Sequence, residues 1–308
     1  MDQHIPVTVL DDLSAGHAGS VSGADLVIGD MGDEALLDRL FGQHAFDAVM
    51  HFASFIQVGE SIGAPAKYFH NNVSKTINLL NSMARHDVKN FIFSSTAAIF
   101  GNPQAGHIDE HHVKAPINPY GRSKLIVEQM LPDYEAAYGI RHACLRYFNA
   151  AGAHPDGSLG ERHDPETHLI PLAISAALGN TGGLKVFGDD YPTHDGTCIR
   201  DYVHVCDLAS AHLLALQHLR AQGESLKLNL GNGEGYSVKQ ILDAVAALVG
   251  KPVPHTVAGR RAGDPAVLVA DSRKARDVLG WQPAYSSLDD IVGHALRFYQ
   301  ATPMASAH

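Results

Sequence analysis

Apolar positions in the first half of the chain follow two rhythms. Val7–Leu10, Leu26–Ile28, Ala48–Phe52, Asn90–Ser94 and Ala143–Tyr147 are short, largely apolar runs rich in β-branched and aromatic residues, which predict buried strands. Between them, Glu34–Phe41, Asn71–His86 and Tyr120–Tyr138 place apolar residues at helical spacing. Strands alternating with helices predict an α/β fold with a parallel sheet covered on both faces. After Ala150 the pattern changes. Gly, Pro, His and Asp crowd Gly152–Pro171, which predicts a long loop over a site. Beyond it, Leu184–Phe187, Val238–Val249 and Leu288–Tyr299 mix short strands and helices, with no internal repeat and no low-complexity linker.

Composition narrows the function classes. At 308 residues and 45% apolar content, one large or two unequal domains with a sizeable core are expected. A net charge of -10 disfavours nucleic acid as a partner, because phosphate binding wants a basic face. The three cysteines, Cys144, Cys198 and Cys206, are odd in number and lack metal-ligand spacing, which suits a reduced, cytoplasmic compartment. No basic stretch leads into an apolar run at the N-terminus, and no apolar run reaches the roughly 20 residues that span a bilayer. The 20 histidines are scattered, and no i, i+4 pair has a supporting carboxylate. They read as solvated or capping histidines, and no metal is expected.

The richest segment is NPYGRSKLIVEQM, residues 118–130. Asn118 and Pro119 start a helix, and Tyr120 and Lys124 then share one face at i and i+4. An ammonium beside a phenol favours the phenolate, and a tyrosine tuned toward neutral pH is a usable general base. Taken alone, a packed tyrosine beside a solvated lysine has the same spacing. A second segment changes that balance. NFIFSSTAAIFG, residues 90–101, is a buried strand ending in the hydroxyls of Ser94, Ser95 and Thr96, at the strand end where such sheets bind ligands.

A hydroxyl, a tyrosine and a lysine four residues on make this chain resemble the short-chain dehydrogenase/reductase superfamily. The order of HFASFIQVGES, NNVSKT, SSTAAIFG, PYGRSK, LRYFNAAGAHPDGSLGE, THLIP, VFGDDYPTHDGTCIRDYVHVCDL, LNLGNG and RRAGD is similar to the UDP-glucose 4-epimerase family, from Ile5 almost to the C-terminus. That resemblance implies a Rossmann-type doubly wound parallel sheet over 1–149, with a segment near 195–216 returning to it. A smaller α/β substrate domain takes up most of 150–308. It also implies interconversion of UDP-glucose and UDP-galactose with tightly bound NAD. The C4 hydroxyl is transiently oxidised, with Tyr120 as base, Lys124 as its electrostatic partner and Thr96 bridging the sugar hydroxyl. A homodimer formed through the Asn71–His86 and Tyr120–Tyr138 helices is expected as well.

Carried over position by position, the cofactor side comprises Asp11, Asp12, Ser14, Asp30, Met31, Phe52, Ala53, Ser54, Ile56, Asn71, Ser94, Tyr120, Lys124, Tyr147 and Phe148. Asp11 matches the acid on the adenosine ribose hydroxyls, and a carboxylate there repels a 2′-phosphate, which favours NAD over NADP. Asp12 stands where the family often has asparagine. The substrate side comprises Thr96, Asn149, His168, Leu169, Lys185, Val186, Phe187, Arg200, Arg261, Asp264 and Leu268. Among these, Arg200 and Arg261 are expected on the UDP diphosphate, whose oxygens match the guanidinium fork. Leu268 occupies the position associated with admitting N-acetylated sugars.

Three departures matter. In the family, a strand and a GxxGxxG turn precede the strand matched by Ile5–Leu10, a segment of about 20 residues. The expectation is a start assigned too late or a shortened chain, with poor solubility as written; a non-catalytic scaffold is the rival reading. A 4,6-dehydratase would need an acid after the threonine, where Ala97 and Ala98 stand. Pro132 is expected to kink or end the Tyr120 helix beyond its catalytic turn.

Overall fold

The computed structural model describes residues 5–103, 106–261 and 264–302. The chain divides into two compact units. The first holds residues up to Gly101, Lys114–Leu145 and Ala215–Leu226; the second holds Asn102–Val113, Arg146–Leu214 and the remainder from Lys227. The segment from the second half that joins the first unit is thus Ala215–Leu226, while 195–214 lies in the second unit.

In the first unit the apolar runs form strands close to their predicted places. Thr8–Asp11 pairs in parallel with Asp25–Ile28, and Val49–His51 pairs in parallel with Asn90–Thr96. The strand Arg141–Tyr147 lies on the other side of Asn90–Thr96. The order Arg141, Asn90, Val49 places consecutive strands beside each other through helical crossovers, as a doubly wound α/β fold requires. Asn90–Thr96 is buried along almost its whole length, which is why its sequence reads as a continuous apolar run rather than an alternating one. Leu37 of the helix Glu34–Gln43, Leu79, Leu80 and Met83 of Lys75–Arg85, and Val127 and Leu131 of Pro119–Tyr138 close one core with Phe91 and Phe93.

Two details depart from the periodic reading. The helix expected from Asn71 begins as a five-residue π turn, His70–Ser74, and becomes α-helical only at Lys75. The helix Pro119–Tyr138 runs through Pro132 and ends at Gly139, whose φ of 70° supplies the left-handed cap. Pro132 is on the exposed side of the helix, and its ring is accommodated there while Val127 and Leu131 stay buried. The helix survives because tertiary burial outweighs the local cost of one missing N–H.

In the second unit, the helices Leu169–Leu178, Val238–Val249 and Leu288–Ala301 pack around Ile170, Ile174, Ile241, Val245, Ile291 and Val292. Ser237 and Gln240 form a reciprocal capping box that starts the middle helix. The strand Tyr202–His204 pairs in parallel with Asn149–Ala151, and Val267–Ala270 pairs in parallel with Ile199–Arg200. Asp201, between two of these strands, accepts the backbone N–H groups of Asn232 (2.7 Å), Gly233 (3.0 Å) and Ala270 (3.0 Å). Burial raises its carboxyl pKa, and the three amide donors act against that rise.

Replacing Pro132 by alanine restores a helix N–H on an exposed face. Pro132→Ala is expected to raise the unfolding free energy by about 1–3 kcal/mol, read as a higher urea midpoint at unchanged slope.

Candidate active site

The site grows from a helix start. Asn118 Oδ1 accepts the Gly121 N–H (2.8 Å), and Pro119 occupies the first helical position. This cap fixes Tyr120 in the first turn. Gly121 then permits close approach, because a Cβ there would lie 2.4 Å from the Ala98 carbonyl oxygen. Ala98 belongs to the 3-10 turn that follows the strand Asn90–Thr96, and Thr96 caps that turn by accepting the Ala98 N–H (3.1 Å). The same contact brings the Thr96 hydroxyl close enough to Tyr120 to favour its ionised form.

Lys124 is one turn further along and only 1% exposed. Its Nζ donates to the Ser94 carbonyl (2.7 Å) and to Ser54 Oγ (2.8 Å), and lies 4.8 Å from the Phe93 ring centre. Burial pulls its pKa down to about 7, with the Glu128 carboxylate pulling the other way. Tyr120 is moved in the opposite sense. Burial raises its phenol pKa above the ordinary value, and the Thr96 hydroxyl only partly offsets this. The expected lowering of Tyr120 by Lys124 does not appear. The ammonium is committed to Ser54 and Ser94, and desolvation of the phenolate dominates.

The other first-unit residues follow the C-terminal ends of the parallel strands, apart from Asn71 in the π turn. Asp11 ends its strand and accepts the Leu13 N–H (2.7 Å). Asp12 holds Ser14 through its N–H (2.9 Å) and hydroxyl (2.6 Å). Asp30 accepts the Gly32 N–H (2.7 Å) and pairs with Lys75 (2.6 Å), beside the buried Met31. Phe52, 55% exposed, and Ile56, 41% exposed, offer apolar surface on either side of Ser54, with Ala53 exposed between. Asn71 Nδ2 donates to Asn72 Oδ1 (3.1 Å).

In the second unit, Arg200 donates to Asp264 (2.9 Å) and to the Ile199 and Pro265 carbonyls (2.8 and 2.9 Å), and Leu268 is its register partner on the neighbouring strand. The Arg261 guanidinium lies 3.9 Å from the Phe187 ring centre. Lys185 is exposed and Val186 buried on the strand Leu184–Phe187. Asn149 Nδ2 donates to the Asp201 carbonyl (2.9 Å), next to the half-buried Phe148. The Tyr147 ring lies 6.0 Å from His212. His168 occupies the N-cap position of the helix that Leu169 begins, without a side-chain capping bond.

Several site-building residues escaped the sequence reading. Asn72, fully buried, takes the Phe55 N–H (2.9 Å) and gives N–H groups to the Phe55 carbonyl (3.0 Å) and Ser123 Oγ (3.1 Å). It therefore ties the Phe52–Gln57 loop to the helix Pro119–Tyr138. The sequence signal is the pair Asn71–Asn72, and the π turn decides that Asn72 points inward. Glu128, buried and accepting the Ser95 hydroxyl (2.5 Å), lies one turn past Lys124, a spacing visible in YGRSKLIVE. His51 is buried beside Phe91 and Phe93. Glu161, His163 and Glu166 converge with His168, although the histidines had read as scattered.

The profile of the NAD dependent epimerase/dehydratase family matches residues 1–231. The chain belongs to this family. It is 49% identical over 303 residues to a UDP-glucose 4-epimerase of Halalkalibacterium halodurans, covering 98% of this chain and 91% of that one. It is 51% identical over 277 residues to one of Rhizobium meliloti, covering 90% and 84%. A solved UDP-glucose 4-epimerase of Brucella ovis, in complex with NAD, superposes with a TM-score of 0.94 at 50% identity, covering 96% of this chain and 92% of that one.

The residues of the first unit fit the family's NAD. A Cβ at Gly16 would come 2.9 Å from both carboxylate oxygens of Asp11, so glycine keeps that acid edge clear for ribose hydroxyls. Exposed Phe52 and Ile56 supply apolar surface, and Ser54 and Lys124 supply hydroxyl and ammonium donors next to it.

Gly121→Ala is expected to push the helix off the Ala98 carbonyl. A drop of roughly tenfold or more in turnover, with a lower thermal midpoint, is the expected result. His51 gives a pH signature. Burial and the Lys124 charge lower its pKa to about 3, so the folded state keeps it neutral while the unfolded chain protonates it below about 6.5. Stability is therefore lost as pH falls from 6.5 toward 3. His51→Asn should flatten the dependence of unfolding free energy on pH across that window.

Proposed function

We propose that this chain interconverts UDP-glucose and UDP-galactose by inverting the sugar C4 centre through transient oxidation. The observation that carries this reading is the Thr96–Tyr120 hydroxyl pair one helical turn from the buried Lys124, in a chain about half identical to epimerases of that name. NAD, when bound, supplies the acceptor and later donor of the C4 hydride.

The protein's own part is proton transfer and orientation. Tyr120 takes the C4 hydroxyl proton, and Thr96 aligns that hydroxyl with the phenol oxygen. Burial holds Tyr120 as a neutral phenol, so its base form needs positive charge nearby. Lys124, with a pKa near 7, supplies part of that charge at neutral pH and fixes the helix against Ser94. Asp11, Asp12, Ser14, Asp30, Met31, Phe52, Ala53, Ser54, Ile56, Asn71, Ser94, Tyr147 and Phe148 hold the cofactor. Asn149, His168, Leu169, Lys185, Val186, Phe187, Arg200, Arg261, Asp264 and Leu268 hold the UDP-sugar. A firm hold on UDP and a loose one on the hexose suit a keto sugar that turns over before hydride returns.

The working form is proposed to be a cytoplasmic homodimer. Among the described residues no helix is long and apolar enough to cross a membrane.

The test is conversion of UDP-galactose to UDP-glucose by the full chain, with Tyr120→Phe and Thr96→Ala alongside. Tyr120→Phe should lower kcat by about 100-fold or more with UDP binding retained, and Thr96→Ala should have a smaller effect in the same direction. A wild-type chain that binds UDP-sugars without converting them would reduce the reading to binding alone.

A further inference from the structure

The segment ERHDPETH, residues 161–168, leads into the helix Leu169–Leu178, and neither proton transfer nor cofactor binding uses Glu161, His163 or Glu166. In the fold this segment curls so that one ligand-type atom each from Glu161, His163, Glu166 and His168 lies within 4.8 Å of all the others. His163 Nδ1 is 2.9 Å from Glu161 Oε1 and 3.6 Å from Glu166 Oε1, and His168 Nδ1 meets the same Glu161 oxygen. The two imidazoles stand edge-on, 5.2 Å apart at 90°.

We propose that Glu161, His163, Glu166 and His168 form a binding site for a divalent transition-metal ion, with zinc the best match. Two imidazole nitrogens and two carboxylates suit a borderline cation, whereas calcium or magnesium would call for an oxygen cage. Donors at 2.0–2.2 Å around a tetrahedral ion are spaced about 3.3 Å apart. The distances here bracket that spacing, so small side-chain rotations suffice.

Two further observations point to a ligand. The Glu166 side chain is only 8% exposed, and its Oε2 meets no donor at good hydrogen-bond geometry, although the Tyr299 hydroxyl is near enough for the carboxylate to raise its pKa. Its Oε1 already takes the Thr167 and His168 N–H groups (2.7 and 2.9 Å), which fixes the carboxylate facing His163. A buried carboxylate oxygen without a donor is costly, and a cation would remove that cost. In addition, the Tyr299 hydroxyl donates to the Glu161 carbonyl (2.9 Å), anchoring the loop to the helix Leu288–Ala301. The donor set is thus backed by a fixed support, as metal ligands require. An ion here would pin the entry to the helix Leu169–Leu178 through the Nδ1 of His168, whose backbone N–H already donates to Glu166 Oε1 (2.9 Å) and whose carbonyl accepts the Leu172 N–H (3.1 Å).

The test uses the full chain without a histidine tag, stripped with EDTA and freed of chelator. Cobalt(II) chloride is then titrated while visible absorption is followed, and zinc sulfate by calorimetry. The expected result is one ion per chain, with the intense d–d bands of a low-coordinate cobalt site. His163→Ala and Glu166→Gln should each weaken binding by about tenfold or more while circular dichroism shows the fold intact. No saturable binding to the stripped wild type would overturn the proposal and leave the cluster as ion pairs held by protons. Binding unchanged in both variants would overturn it equally, placing the ion on other histidines.

Discussion

The first unit depends on one buried ammonium. Lys124 has almost no contact with water, on a helix that also buries Ser123, Val127, Glu128 and Leu131. An ion so placed persists only if its hydrogen bonds are complete and an opposite charge is close. The Ser94 carbonyl, Ser54 Oγ and the Glu128 carboxylate meet those needs from three different elements. Satisfying Lys124 therefore fixes the end of the strand Asn90–Thr96, the Phe52–Gln57 loop and the helix Pro119–Tyr138 relative to one another. Asn72 reinforces the same three-way junction by bonding Phe55 and Ser123. The geometry of Thr96 and Tyr120 follows from that junction.

This explains which features the sequence could reveal. Strands buried on both faces announce themselves as apolar runs, and Asn90–Ser94 read correctly for that reason. The Asn118–Pro119 helix start and the Tyr120–Lys124 spacing are local patterns, legible because capping and helical periodicity act within a few residues. The π turn at His70–Ser74 was not legible. One extra residue in a helical turn leaves composition unchanged, yet it rotates Asn72 rather than Asn71 into the core. Pro132 was half legible: a local rule predicted a kink or an end, and the helix does not end there, because burial of Val127 and Leu131 holds it continuous.

Electrostatics was the least legible layer. The spacing of Tyr120 and Lys124 suggested a lowered phenol pKa, but spacing says nothing about desolvation or about where an ammonium spends its hydrogen bonds. In the folded chain both groups are driven toward neutrality, the lysine downward and the tyrosine upward. Such a pair is poised rather than switched on. Added positive charge near the phenol would favour its ionised form. An empty site with a permanently ionised phenolate would bear the cost of a buried anion throughout its life.

The histidines make the same point in the second unit. Read along the chain, His163 and His168 sit five residues apart in a loop, a spacing that matches no helical ligand pair. Loop ligands obey no fixed period, because turns rather than helical pitch decide which side chains meet. Here the Asp164–Pro165 step lies between the two histidines, and the Glu166 carboxylate folds back onto its own downstream amides. Those amide bonds orient Glu166 toward His163, and Glu161 closes the group from the other side. A cluster built from local backbone bonds needs no distant partner to assemble. A cation binding there would therefore stabilise the loop itself.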